Sequence, residues 1–171
     1  MNRYFVLFCS VIISGILLTG CSKKSEQELF NAGQKNVQDG KYTEAIDSYE
    51  TLVKDYPESP RAPKVLFEIG KLYQGKAVKN ISETESIKKA VEFYNRIFKE
   101  YPKSAEAPSA LFMTGFLQAN ELRDYNAATA SLKQFLASYP NHEMASSAQA
   151  ELDNMGLTPD EILKKNLEAN K

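Results

Sequence analysis

Three stretches of this chain end alike: Leu52-Val53-Lys54-Asp55-Tyr56-Pro57, Ile97-Phe98-Lys99-Glu100-Tyr101-Pro102 and Phe135-Leu136-Ala137-Ser138-Tyr139-Pro140. Twelve residues before each proline stands an alanine (Ala45, Ala90, Ala128), and four residues after each alanine a large apolar side chain (Tyr49, Tyr94, Leu132). Thirteen residues after the first two prolines comes a glycine, Gly70 and Gly115, each with a leucine four positions earlier, Leu66 and Leu111. Leu29 and Gly33 repeat that pair upstream. An internal repeat of this length constrains the fold more than any single motif does. Each unit is one supersecondary element that buries its apolar face only against its neighbours. Within a unit the apolar residues recur at helical spacing, as at Ile46, Tyr49, Leu52 and Val53, so each unit reads as two helices. Proline ends the second helix, because it lacks an N–H and disfavours helical geometry in the residue before it. Glycine and alanine mark where paired helices approach closely, with the large residue filling the groove beside them.

This Leu-x3-Gly, turn, Ala-x3-large, Tyr-Pro order resembles the tetratricopeptide repeat (TPR). The expected fold is therefore all-α: a TPR-like α-solenoid of about three helix pairs over residues 26–156, with a capping helix and a short C-terminal helix. The first pair is expected at about 26–38 and 43–55, the second unit at 62–101 and the third at 107–139. A capping helix over 143–155 stops at Gly156. Thr158-Pro159-Asp160-Glu161 starts another helix within 157–171: threonine caps it, proline takes the first position and Glu161 completes a capping box. Ile162, Leu163 and Leu167 are expected to lay that helix on the body. Between Gly70 and Ala90 the second unit has about eight residues more than the first, expected as a tolerated loop within residues 75–86. Asn36 and Gln118 stand where Tyr73 does, and are expected to be partly exposed. The link Tyr-Pro-x-Ser-x-x-Ala-Pro at residues 56–63 and 101–108 is similar to one branch of the repeat family. That branch holds the lipoprotein of the outer-membrane β-barrel assembly complex and the periplasmic protein associated with the Tol–Pal system.

The N-terminus carries a second signal. Arg3 precedes an apolar run over residues 4–18 that is too short and too broken by serine and glycine for a membrane span. Leu18-Thr19-Gly20-Cys21 resembles the bacterial lipobox, in which the cysteine sulfur takes a diacylglyceryl group before cleavage. Residues 1–20 are thus expected to be a lipoprotein signal peptide, with Cys21 lipidated and residues 21–28 forming a polar tether. Ser22, rather than aspartate, after the cysteine implies, by resemblance to the sorting rule of enteric bacteria, the outer membrane. Cleavage before Cys21 would leave one sulfur and no internal disulfide.

Catalytic chemistry finds no constellation here. His142 is the one histidine, and it takes the link slot held by Ser59 and Ser104. No Cys/His cluster suits a metal, and no glycine-rich phosphate loop appears. Neither a cofactor nor an enzymatic role is expected. A formal net charge of -1 on 171 residues gives no broad basic field for nucleic acid. The resemblance implies instead a protein-binding groove lined by first helices, with Phe30, Phe67 and Phe112 at equivalent places and Gln34, Lys71 and Phe116 one turn on. Those rings serve equally well as core between neighbouring helices. The expected function is a lipid-anchored, periplasm-facing adaptor that binds protein partners in outer-membrane protein assembly. The alternatives are a Tol–Pal-type envelope-maintenance protein and, from another class, a lipoprotein enzyme or solute-binding protein.

Overall fold

The computed structural model describes residues 23–169, and among them it contains eight helices and no strand. They are α1 (Glu26–Gln38), α2 (Tyr42–Asp55), α3 (Ala62–Gln74), α4 (Glu83–Glu100), α5 (Ala107–Asn120), α6 (Tyr125–Ser138), α7 (Ala145–Asn154) and α8 (Pro159–Ala169). Helices α1/α2, α3/α4 and α5/α6 form the three expected pairs, and α7 covers the outer side of α6. The signal peptide and Cys21 lie outside the described residues.

The glycines do what their spacing implies. A Cβ on Gly70 would stand 2.6 Å from Cε1 of Tyr94, and one on Gly115 would stand 2.7 Å from Cγ of Leu132. Gly33 meets the Tyr49 ring in the same way. So glycine on the first helix admits the large residue of the second, while Ala45, Ala90 and Ala128 are fully buried. The helix stops also repeat. Tyr56, Tyr101 and Tyr139 each leave the helix with φ near −135°, −131° and −135° and ψ near 59°, 53° and 55°. Each proline therefore enforces the same corner. Beyond the corner, the N–H groups of Ser59, Ser104 and His142 donate to the preceding tyrosine carbonyls at 3.0, 2.9 and 3.1 Å. Pro63 and Pro108 then occupy the first turns of α3 and α5, where no N–H is needed.

The core runs in two parts. The first fills units one and two and reaches α5 through Ala107, Ala110 and Leu117. The second joins Leu111, Phe112, Leu132, Phe135 and Ala148, and Met113 and Phe116 touch both parts. Where Tyr73 stacks on Phe93 at 5.6 Å in unit two, Gln118 accepts a hydrogen bond from Ser131 in unit three. Asn36 and Gln118 are half-buried, as expected of polar substitutes for that tyrosine.

Three expectations need correction. Much of the second unit's extra length is helix rather than loop: Ser82 caps α4, and Glu83 to Ser86 form its first turn. Ser86 is buried and donates to the Tyr73 carbonyl at 2.6 Å, while Val78 and Ile81 pack against the core. The tether expected over 21–28 overlapped the first helix expected from 26, and over the overlap the helix holds: α1 begins at Glu26 behind a capping box of Ser25 and Glu28, which leaves 23–25 as the described residues before it. Finally, α8 starts with the expected capping box between Thr158 and Glu161 but does not lie on its leucines. Ile162 is half-buried, whereas Leu163 and Leu167 are 59% and 60% exposed. Ile162 is thus the side chain α8 turns toward the body, and Lys165 reaches back to the Asp153 carbonyl and Asn154 Oδ1 at the end of α7.

Candidate protein-binding face

Phe30, Phe67 and Phe112 sit on α1, α3 and α5 directly after the leucines that enter the core. Phe30 and Phe67 are half-buried. Each lies against the tyrosine of its own second helix: Phe30 at 6.4 Å from Tyr49 and Phe67 at 5.1 Å from Tyr94, ring centre to ring centre. Those tyrosines are held by the glycines opposite, so the phenylalanines are displaced toward the surface. Phe112 behaves differently. It is 8% exposed, meets Phe135 edge-on at 5.8 Å and stacks on Phe116 at 6.2 Å. Leu132 is shorter than tyrosine, and the space so left lets Phe112 turn inward. Phe116 is half-buried between the two parts of the core. Gln34 and Lys71 are exposed, the latter paired with Glu68 at 2.8 Å.

Cations frame the first ring: the Arg61 guanidinium lies 5.3 Å from the centre of Phe30 and the Lys64 ammonium 6.0 Å. Arg61 is fixed by Glu26 Oε1 at 2.6 Å and Gln27 Oε1 at 3.0 Å, and Ser59 Oγ also donates to Glu26 at 2.8 Å. These bonds join α1 to the first link and hold the Glu26 carboxyl below its ordinary pKa, the Arg61 hydrogen bond contributing most. In the second link, Ser104 Oγ is buried with no partner, because Pro63 stands where Glu26 stands in unit one. His142 is half-buried: its Nδ1 accepts from the Met144 N–H and its ring meets Phe135 edge-on at 5.7 Å, so it packs the third link.

The link tyrosines form a ladder that the repeat pattern alone did not announce. The Tyr101 hydroxyl donates to the Pro57 carbonyl at 2.9 Å, and the Tyr139 hydroxyl to the Pro102 carbonyl at 3.4 Å. Tyr56 makes the first rung, donating to the Lys24 carbonyl at 2.8 Å. Each rung ties one unit's corner to the chain before it. Recurrence of tyrosine, rather than any apolar residue, before each proline was the available signal.

Helix pairs stacked in register, with a glycine on each first helix admitting a large side chain from the second, define a tetratricopeptide-type repeat protein. Among the described residues no three His, Cys, Asp or Glu side chains gather as a metal site, and no helix is long and apolar enough to cross a membrane. The family of outer membrane lipoproteins named YfiO matches residues 22–156, most of the chain, and the chain belongs to it. No curated protein matches the chain.

Proposed function

We propose that this outer membrane lipoprotein is held by lipid on Cys21, faces the periplasm, and acts without catalysis as an adaptor for protein partners in outer-membrane protein assembly. The observation that carries the reading is the placement of Phe30 and Phe67 at one register of successive first helices, half-exposed and flanked by Gln34, Lys71 and the cations of Arg61 and Lys64. Large apolar anchors beside polar groups are what peptide-binding grooves present. The strip offers two such anchors in units one and two; Phe116, also half-buried, extends it, and Phe112 supports it from within. Two or three acyl chains on one cysteine hold a protein durably where a single chain holds it only marginally.

Affinity purification from detergent-solubilised membranes tests the adaptor reading. The wild-type chain is expected to bring down components of outer-membrane assembly. Phe30→Ala alone should weaken their capture roughly 30-fold, as loss of about 2 kcal/mol at one anchor implies, and Phe30→Ala with Phe67→Ala by up to about 1,000-fold where the two losses add. Partners retained at wild-type level by the folded double variant would refute the face; partners from an unrelated pathway would refute the assembly role. For the anchor, fatty-acid labelling should be lost in Cys21→Ala, and equal labelling of both chains would end that part of the proposal.

A further inference from the structure

The chain enters its first unit on a short leash. Lys23 Nζ contacts the Asp55 carbonyl at 3.4 Å and its carboxylate at 3.6 Å, and lies 5.0 Å from the Tyr56 ring centre. Lys24 is held through its carbonyl by the Tyr56 hydroxyl, and Ser25 caps α1. From Lys23 onward the backbone is thus pinned to the Tyr56–Pro57 corner. Two peptide units separate the Cα atoms of Cys21 and Lys23, a reach of at most about 7 Å.

All the links share one edge of the array. Helices α1, α3, α5 and α7 begin on it, and α2, α4 and α6 end on it; the turns at 39–41, 75–82 and 121–124 lie on the opposite edge. Between the first two links this edge has a notch of about 560 Å³ of mixed character: Pro57, Pro60, Pro102 and Ala105 are exposed around it, with Tyr101, Lys103 and the carboxylates of Glu58, Glu100 and Glu106 in its lining. The notch itself therefore has no charge preference for a lipid surface, and the short N-terminal connection decides which edge lies near it.

Resting on the reading that Cys21 carries the lipid, we infer that the link edge is the face the protein turns to the bilayer, with its helices standing along the membrane normal. The first corner is then within a few residues' reach of the headgroups, and the turn edge points into the compartment. Helix α4, with 18 residues, spans the two edges, a distance of about 27 Å.

Two surface positions at opposite ends of α4 read this orientation, Lys103 beyond its C-terminus and Lys79 before its N-terminus; both are exposed. In the processed, lipidated chain the only native cysteine is Cys21, whose sulfur is blocked as the diacylglyceryl thioether, so Lys103→Cys or Lys79→Cys supplies a single labelling site. Each labelled protein is reconstituted into phosphatidylethanolamine–phosphatidylglycerol vesicles containing a lipid with a nitroxide on its headgroup, and fluorescence quenching is measured. The label at 103 should be quenched roughly threefold or more over the label at 79, given their ~27 Å separation along the normal. Because both sites lie on the second unit, an array standing on its first unit would quench them equally. Equal quenching, or stronger quenching at 79, in protein that carries the lipid by mass and floats with the vesicles would overturn the orientation alone. Absence of lipid and of flotation would overturn the anchor and the orientation together.

Discussion

Gly70→Ala tests the packing on which the repeat depends. On an exposed helix this change would stabilise by about 1 kcal/mol, because alanine is the better helix former. Here the new Cβ would lie 2.6 Å from Cε1 of Tyr94 and 2.9 Å from both Cδ1 and Cζ. The ring cannot easily retreat: Tyr94 is 1% exposed, is in contact with Phe67, and donates through its hydroxyl to Gln74 Oε1 at 2.7 Å. Overpacking of this kind costs about 1–3 kcal/mol. With three ring atoms inside 3 Å the upper half of that range applies, and after the propensity gain the net loss is about 1–2 kcal/mol. For a chain of this size that lowers the melting temperature by roughly 2–8 °C. Urea and thermal melts followed by circular dichroism measure it. The sharper test is the double variant. Tyr94→Ala alone should cost about 3–5 kcal/mol by leaving a cavity. In that background the methyl added at position 70 has room, so combining Gly70→Ala with it should stabilise rather than destabilise. A Gly70→Ala protein as stable as wild type, or a change of the same sign in both backgrounds, would refute the claim that Gly70 exists to admit the ring.

Three further outcomes follow from the links and the insertion. Tyr101→Phe removes one rung of the ladder and leaves the Pro57 carbonyl without that donor, so unfolding should cost about 1 kcal/mol less, measured by urea titration. Deleting residues 76–83 removes the Ser82 cap, worth about 1 kcal/mol, and the partial burial of Val78 and Ile81; together these should lower stability by roughly 2–4 kcal/mol in thermal melts. The Glu26 carboxyl, lowered from 4.5 by Arg61 and then Ser59, stabilises the fold fully above that ordinary value and ceases to as pH falls through its lowered one. Melting temperature should therefore drop on acidification below about pH 4.5, and Glu26→Gln should show a smaller drop over that window.

The array was legible because the chain states the fold of its unit three times. A tyrosine before proline, a glycine facing a large residue and a fully buried alanine are local devices, and local devices leave local traces in sequence. The features that depart from expectation depend on geometry between elements. Residues 83–86 are polar or small, as a loop's would be, yet Ser82 caps them into α4 and Ser86 finds a buried carbonyl. Leu163 and Leu167 have the spacing of a packed face, but Ile162 is the side chain that turns inward, and Lys165 meets the end of α7. No periodicity records that choice. The bond from Tyr56 to Lys24 spans 32 residues and involves a backbone carbonyl, which leaves no mark on residue identity at position 24.

The same three positions also show why a repeat match cannot by itself assign a surface. Phe30, Phe67 and Phe112 are equivalent in sequence, but their exposure is set by the residue opposite. In units one and two a tyrosine fills the space that glycine leaves, and the phenylalanine rests on its outer side. In unit three Leu132 is too short to do this, Phe112 drops against Phe135, and the third register position closes. On the proposed reading, the strip offered to a partner therefore belongs to the first two units, next to the pinned N-terminal segment. A partner that engages Phe30 also meets Arg61, whose guanidinium is held by Glu26 and whose backbone begins α3. Binding there would bear directly on the bonds by which Arg61, Glu26 and Gln27 join α1 to the first link.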